Sequence, residues 1–391
     1  MPKLAVVVPS NRADRIKAFC DAWRGQTRDA DWFLVWDGPD TSMVPGSIFG
    51  RIDTWTSIGV GLVDSWIIPH KTAAIRSFGV LQAFRAGADY ILCLDDDVLP
   101  YGPDHLEWLV DALESDVTSE WAWIGPQKQR GVPFELHYRQ PWLHEGGWWN
   151  VPDLDAPTRL VEGIEDVYQH SRVLGQHVVP PGTFLALSAM HVIFRRDLAP
   201  AMYQLLQGPD WGYHRFDDIW SGMFAKLIAD HLGQAVTYGD PLVEHRQASN
   251  VYTNLAQEAP GIREHELVWP HIAAIQSQGD CATCCYKSLA DALAANDWAP
   301  GCDRSYWSKL AEAMKIWAGL FPCMADGGEV LLPPMAMARP SPTCTVGISA
   351  APINGLVTPA DRRALDDERT PHWRANYADG MRVPNWWEDQ R

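Results

Sequence analysis

Tyr90-Ile91-Leu92-Cys93-Leu94-Asp95-Asp96-Asp97 is the stretch on which the reading of the chain turns. Five apolar residues in a row are too few for a buried helix, and they read as a strand covered on both faces, as strands of parallel sheets are. The run stops abruptly on three acids. Just before it, Lys71 to Gly87 carries Ile75, Phe78, Leu81 and Phe84 along one side and reads as a helix. Earlier still, Leu4-Ala5-Val6-Val7-Val8 and Trp32-Phe33-Leu34-Val35-Trp36 repeat the apolar run, with the helical stretch Arg12 to Trp23 between them. Strands alternating with helices predict an α/β sheet with ligands at the carboxyl ends of the strands, where the acids lie.

Downstream, residues 120–182 are rich in Trp, Pro and Gly and poor in periodicity, which predicts long loops and short strands forming the walls of a site. Thr183–Phe194 reads as a strand. Asp218–Leu232 is an amphipathic helix with an acidic start and Gly233 as its stop. Ala282–Ala295 and Tyr306–Leu320 are further helices. From 322 onward nine prolines fall within 70 residues, including Pro340-Ser341-Pro342, and periodicity disappears. The expected organisation is one unit over 1–320, with a nucleotide-binding half (1–120), a sugar and acceptor half (121–261) and a helical section (262–320). A Pro-rich tail (322–391) follows, with Trp373, Trp386 and Trp387 available to hold it to the body. There is no internal repeat.

The 391 residues are 47% hydrophobic and 21% charged, the composition of a globular protein with a sizeable core. No run approaches 18 apolar residues, so no membrane-spanning helix is expected. The N-terminal apolar run has no small-residue cleavage site behind it, so a cytoplasmic setting is expected. With 32 Lys+Arg against 49 Asp+Glu the net charge is −17, a field that repels phosphate backbones and excludes broad, salt-driven nucleic-acid binding. A local strip of Lys128, Arg130 and Arg139 remains. Twenty tryptophans serve either the core or sugar stacking, and composition alone does not separate the two. Cys281, Cys284 and Cys285, with Cys302 downstream, read as buried cysteines on a helix face rather than a zinc site, since paired Cys-x-x-Cys spacing and fitting histidines are missing.

Three adjacent carboxylates repel one another, and a cation relieves that. Alternation points Asp95 and Asp97 to one side, a spacing that suits a divalent metal which would also hold a diphosphate. The plain alternative is a solvated loop capping the next helix. Pro9-Ser10-Asn11-Arg12 and Asp37-Gly38 follow the first two strands, and Lys71 and Arg76 fall in the first turns of a helix, where dipole and side chains together favour phosphate. Each is weak alone. Arg215-Phe216-Asp217-Asp218 places two acids at a helix start: one can cap, the other can act as a base toward a sugar hydroxyl or orient it. His245, after Pro241-Leu242-Val243, is either a structural histidine or the third ligand of a metal at the acidic triplet.

Taken together these residues resemble the reversibly glycosylated polypeptides, the family that includes plant UDP-arabinopyranose mutases. Trp149-Asn150-Val151-Pro152-Asp153-Leu154-Asp155-Ala156-Pro157-Thr158, Arg215 to Gly222, Ile228 to Gly233 and His245 to Asn250 carry the likeness, with the Asp95–Asp97 triplet and Lys71 to Gly79. It spans about residues 1–320, is densest over 147–250 and leaves the tail unmatched. The resemblance implies an α/β fold of GT-A type, a Rossmann-like mixed sheet flanked by helices with a C-terminal helical section and an irregular tail. It also implies a UDP-sugar site. Asp95 and Asp97 with His245 would hold Mn²⁺ or Mg²⁺; Arg12 and Asp37, beside Pro9, Ser10 and Gly38, would lie near the uridine; Lys71 and Arg76, with Asp95 and Asp96, near the diphosphate. Asp217 and Asp218 would face the sugar.

One departure bears on activity. The family's self-glycosylated arginine stands in a Pro-Phe-Ser-Leu-Arg context, whereas this chain has Pro133-Phe134-Glu135-Leu136-His137. His137 stands at the arginine's place and Arg139 is the nearest arginine, so these two are the substitutes for it in a mutase. Transfer to an external hydroxyl needs no such residue. The leading expectation is therefore a metal-dependent glycosyltransferase acting from a UDP-sugar on an external hydroxyl acceptor, with the mutase reaction second and a non-catalytic nucleotide-sugar binder third. The acceptor is open among a glycan, a protein, a small molecule and a hydroxymethylated DNA base, the last disfavoured by charge. The sequence leaves a homo-oligomer open.

Overall fold

The computed structural model describes residues 2–38, 48–117, 140–151, 153–162, 175–246 and 249–323. His137, Arg139, the Lys128–Arg130 strip and the tail beyond Cys323 lie outside the described residues, and so do the expectations attached to them.

Nine strands form one sheet among the described residues: β1 (Leu4–Ser10), β2 (Asp31–Trp36), β3 (Arg51–Thr54), β4 (Tyr90–Leu94), β5 (Val98–Leu99), β6 (Pro141–Asn150), β7 (Gln176–Val178), β8 (His191–Arg195) and β9 (Ala235–His245). Their order is β3-β2-β1-β4-β8-β6-β9-β5, with β7 also on β9. The β3-β2-β1-β4 half is parallel; β8 runs antiparallel to both β4 and β6, and β6 lies parallel to β9. This is the expected α/β class, a Rossmann-like mixed sheet flanked by helices.

The two faces of the sheet follow from alternation along β1. Leu4, Val6 and Val8 turn to a core built with α1 (Ala13–Trp23) and α4 (His105–Glu114), whose Phe19, Trp23, Leu106 and Leu109 are buried there. Ala5 and Val7 turn to the other core, which holds α3 (Arg76–Arg85), α6 (Asp217–His231), α8 (Ala282–Ala295) and α9 (Arg304–Ala318). Trp23, Trp36, Trp220, Trp307 and Trp317 are fully buried, so these five fill core rather than face a sugar. The remaining helices are α2 (Trp55–Gly61), α5 (Ala156–Glu162) and α7 (Val251–Ala273). No helix of the described residues is long and apolar enough to cross a membrane.

The C-terminal helices are wired into the sheet layer. Trp317 Nε1 donates to Pro200 O at 2.9 Å and the Tyr306 hydroxyl to Leu206 O at 2.9 Å. Gln207 Nε2 in turn donates to the Tyr306 oxygen at 3.2 Å.

Several expectations are corrected. Lys71 is not in the first turn of a helix: it has a left-handed φ of 57°, and α3 starts only at Arg76 after a short 3₁₀ turn, Ala73–Ile75. The strand expected over 183–194 is confined to His191–Arg195. Part of the stretch expected to be loops and short strands is a ten-residue strand, β6. There Gly146 and Gly147 sit at a register shift, and a Cβ on Gly146 would collide with the His191 ring. The glycine lets β6 close over the buried pair His191–His105, whose Nε2 atoms are 3.1 Å apart. Both imidazoles are held neutral by burial, His191 down to about 4. The cysteines also differ from expectation: Cys285 is buried on the helix face, whereas Cys281 and Cys284 are half-buried and face a third cysteine, Cys323.

Gly222 of α6 is the second glycine that close approach requires. A Cβ there would come within 2.5 Å of Leu187 N and 2.9 Å of Leu185 O, both backbone atoms of the segment that leads to Ser188. Gly222→Ala should therefore destabilise the fold by about 1–3 kcal/mol, as overpacking does. Gly25→Ala, where a Cβ meets nothing within 4 Å, serves as the control. Equal thermal melting temperatures for the two variants would contradict the contact.

Candidate functional site

The carboxyl ends of β1, β2 and β4 deliver three acidic or basic clusters to one edge of the sheet. At the end of β4, Asp95 N donates to Met190 O at 3.2 Å, tying the triplet to the residue just before β8. The three carboxylates then part. Asp95 pairs with Arg76, Asp96 with Ser10 and Arg12, and Asp97 with Arg15 at 2.5 Å. Burial raises the carboxyls of Asp96 and Asp97 above their ordinary values, and repulsion from the neighbouring acids adds to it at Asp97. Two arginines, Arg12 and Arg15, balance a cluster that would otherwise stay protonated.

His245 ends β9 directly beside this triplet, because β5 pairs with β9 so that Val98 stands opposite His245. Its Nδ1 donates to Val151 O at 2.8 Å, which leaves Nε2 as the coordinating nitrogen. The positive charge of His245 in turn pulls the Asp97 carboxyl down, against burial. Asp95, Asp97 and His245 are not closed around one point: among the described residues the single group of three ligating side chains within 4.8 Å of one another is Cys281, Cys284 and Cys323. Carboxylate oxygens with one imidazole nitrogen are nonetheless a donor set suited to Mn²⁺ or Mg²⁺.

Asp37 is linked to the same edge through Lys71. Its Oδ2 accepts the Lys71 backbone N–H at 2.5 Å and its Oδ1 faces His70 Nε2 at 2.6 Å, while His70 stacks on Trp55 with ring centroids 4.5 Å apart. Burial still holds the Asp37 carboxyl above its ordinary value. The left-handed turn at Lys71 is what brings its N–H to Asp37, a strained backbone placed at a site. Pro9, Ser10 and Gly38 flank this edge; Ser10 Oγ accepts the Arg12 N–H at 3.1 Å, fixing the turn out of β1.

Next to the edge lies a cavity of about 460 Å³, within the size range of small-molecule sites. Lys71, Arg76, Asp95, Asp217 and Asp218 line it together, so five of the expected residues share one hollow. Arg76 is buried at 3% exposure and bridges Asp95 to Gln204 Oε1 at 3.3 Å. Burial alone would lower its guanidinium, but Asp95, Asp217 and Asp218 outweigh burial and hold it above its ordinary value. Asp218 accepts the Ala189 N–H at 3.2 Å and, within the first turn of its own helix, the Ile219 N–H at 2.9 Å; neither acid caps the helix, whose N-cap is Phe216. Burial, then repulsion from Asp217 and Asp153, pushes the Asp218 carboxyl well above its ordinary value; Asp217 is also raised by burial, against the pull of Arg76.

The cavity also contains groups that no sequence pattern singled out. Glu145 of β6 is buried and accepts the Ser188 N–H at 2.6 Å; burial and the nearby Asp153 push its carboxyl up to about 8. Ser188 Oγ donates to Asp153 Oδ2 at 2.6 Å. Glu258 of α7 ties Arg215 Nε at 2.7 Å to Ala156 N at 2.7 Å, and Arg215 is again left-handed, with φ 62°. Of these, Asp153 and Arg215 fall in the quoted stretches Trp149–Thr158 and Arg215–Gly222, whereas Glu145, Ser188 and Glu258 had no sequence signal. The cavity lining thus combines two cations, Lys71 and Arg76, with buried carboxyls, Glu145, Asp217 and Asp218, that burial raises above their ordinary values.

Comparison with known proteins matches this architecture to one family. The model of the reversibly glycosylated polypeptides fits residues 123–325, just over half the chain. UDP-arabinopyranose mutase 1 of Oryza sativa subsp. japonica is 31% identical over 339 residues, covering 81% of this chain and 89% of that protein. UDP-arabinopyranose mutase 1 of Arabidopsis thaliana is 30% identical over 339 residues, covering 81% and 91%. Among solved structures, an active-site mutant of LgtC overlaps 56% of this chain and 70% of that chain at 14% identity with a TM-score of 0.25. With a relative of 31% identity over four-fifths of its length and a family model over half of it, the chain is a member of the reversibly glycosylated polypeptide family.

Proposed function

We propose that the chain binds a UDP-pentose in this cavity and interconverts its pyranose and furanose forms, as the names of its relatives state for them. The observation that carries the reading is the make-up of the cavity lining: Lys71 and Arg76 balance a diphosphate, and Glu145 and Asp218, whose carboxyls burial raises above their ordinary values, meet a sugar. Ring contraction of arabinopyranose releases UDP from C1, lets O4 attack C1 as it loses its proton, breaks C1–O5 as O5 takes up a proton, and returns UDP to C1. O5 gains one proton and O4 loses one, so no net acid or base is consumed. A carboxyl that holds its proton near neutrality can give it to one oxygen and take it from the other.

Lys71 and Arg76 stabilise the negative charge that collects on the diphosphate as the anomeric bond breaks. Asp95, Asp97 and His245 are the residues that would hold Mn²⁺ or Mg²⁺; such an ion supplies further neutralisation of the departing diphosphate. Arg12 and Asp37 flank the uridine end. Glu145, Asp153 and Ser188 position the sugar by a chain of hydrogen bonds fixed to β6.

Transfer to an external hydroxyl is the second reading, favoured by the histidine at the family arginine's place. Incubation with Mn²⁺ and UDP-arabinopyranose in the absence of acceptor distinguishes them. UDP-arabinofuranose, resolved chromatographically, is the expected product. Release of UDP and free arabinose alone, with sugar transfer only when an alcohol is added, overturns the mutase reading in favour of the second.

A further inference from the structure

Far from the cavity, three sulfurs meet where the last helix ends. Cys281 is the N-cap of α8, its Sγ accepting the Cys284 N–H at 3.4 Å. Cys323, four residues beyond Gly319 at the end of α9, returns to that helix start: its Sγ is 3.9 Å from Cys281 Sγ and in bonding contact with Cys284 Sγ. Thr283 Oγ1 donates to Pro322 O at 3.0 Å and holds the returning segment in place. Phe321 is buried against Phe84 and Trp317, with centroids 4.8 and 5.0 Å away.

A disulfide between Cys284 and Cys323 uses two of these sulfurs and leaves Cys281 only as the cap of the helix. A zinc-type ion uses all three. Zinc binds thiolate sulfur at about 2.3 Å in a tetrahedron, which sets sulfur ligands about 3.8 Å apart, and the Cys281–Cys323 separation of 3.9 Å matches that edge. Cys281-x-x-Cys284 supplies two ligands from one helix start, where the positive dipole end favours thiolates. Two neighbouring donors are engaged elsewhere. Cys285 is turned away, its thiol donating to Gly279 O at 3.3 Å, and His231 Nε2 is 2.9 Å from the same carbonyl.

We propose that in the reduced chain Cys281, Cys284 and Cys323 form a thiolate site for one zinc-class ion, its fourth position open to solvent, which fastens the end of α9 onto the start of α8. Binding releases the thiol protons and involves no change of oxidation state. The site is independent of the candidate active site and of the function proposed for it.

The test is metal content of full-length protein, purified under reducing conditions with Zn²⁺ and then dialysed. One zinc per chain is expected both in the wild type and in Asp97→Ala, which removes a ligand of the other candidate metal site. Cys281→Ser, Cys284→Ser and Cys323→Ser should each lose it, and Co²⁺ should give the near-ultraviolet sulfur-to-cobalt charge-transfer band only with all three cysteines present. Cys281→Ser is decisive, because it leaves a Cys284–Cys323 disulfide intact. Its melting temperature should fall to that of chelator-treated wild type. The proposal is overturned if the wild type holds no zinc and shows the mass loss of two hydrogens, which indicates a disulfide only. Zinc that survives in the three serine variants overturns it equally.

Discussion

Arg76→Met should abolish most turnover, lowering it by about 10²–10³-fold, and destabilise the protein as well. The first figure is the range for losing one fixed donor to a developing anion. The second follows from burial: the guanidinium is 3% exposed and paired with Asp95, with Asp217 and Asp218 near enough to raise its own proton affinity. Removing one member of a buried pair leaves the other charge uncompensated, at about 3–5 kcal/mol. Part of that cost is relieved when the carboxylates take up protons, so the variant's stability should improve as the pH is lowered toward the ordinary carboxylate range. Arg76→Lys keeps the charge without the fork, and should retain more stability than activity. Steady-state kinetics with UDP-arabinopyranose and urea unfolding at two pH values measure both effects. Normal turnover in folded Arg76→Met would remove the diphosphate end from the proposed site.

Glu145→Gln should cost about 10²–10⁴-fold in turnover, the range for a positioned general acid–base group, while leaving UDP binding nearly unchanged. Its amide still accepts the Ser188 N–H that Glu145 Oε1 accepts at 2.6 Å, so the backbone around it is preserved. The sign of the pH dependence is fixed by the direction of the shift. With the folded carboxyl pushed up to about 8 from 4.5, wild-type activity that needs the proton should fall as the pH rises through about 8. Between 4.5 and about 8 the folded protein holds a proton that the unfolded chain has released, so this residue makes stability fall as pH rises across that window. Glu145→Gln should lose both the alkaline activity limb and this contribution to stability. A variant retaining the wild-type alkaline limb would assign the proton to another group, with Asp218 next in line.

How much of this was legible in the sequence depended on where each residue's role is decided. The strands β1, β2 and β4 were legible because continuous apolar runs have no other use in a short segment, and the acids at the end of β4 were legible because sheet topology puts ligands there. The strand β6 was not, since Pro141, Gly146 and Gly147 break its apolar pattern and its pairing is bulged. Pro260 and Pro270 hid α7 in the same way. Lys71 and Arg76 were legible as cations of the site, and both line the cavity, though a left-handed turn rather than a helix places Lys71. Glu145 had no signal: a lone acid in a Trp-rich stretch looks solvated, and only the packing of β6 against the Ser188 segment withdraws it from water. The three-cysteine cluster escaped notice for a related reason, because Cys323 lies 39 residues beyond Cys284 and only the return of the chain after α9 brings them together.

The hydrogen bonds between Tyr306 and the Leu206–Gln207 segment have a consequence for the order in which a newly made chain becomes competent. Gln207 lines the cavity and also accepts the Phe216 N–H at 3.4 Å, one residue ahead of Asp217. A polypeptide still emerging from the ribosome at residue 300 has translated every proposed diphosphate and sugar contact, yet lacks the phenol that holds this wall in place. Competence to bind nucleotide sugar therefore arrives late in synthesis, with α9, rather than with the segment that carries the acids.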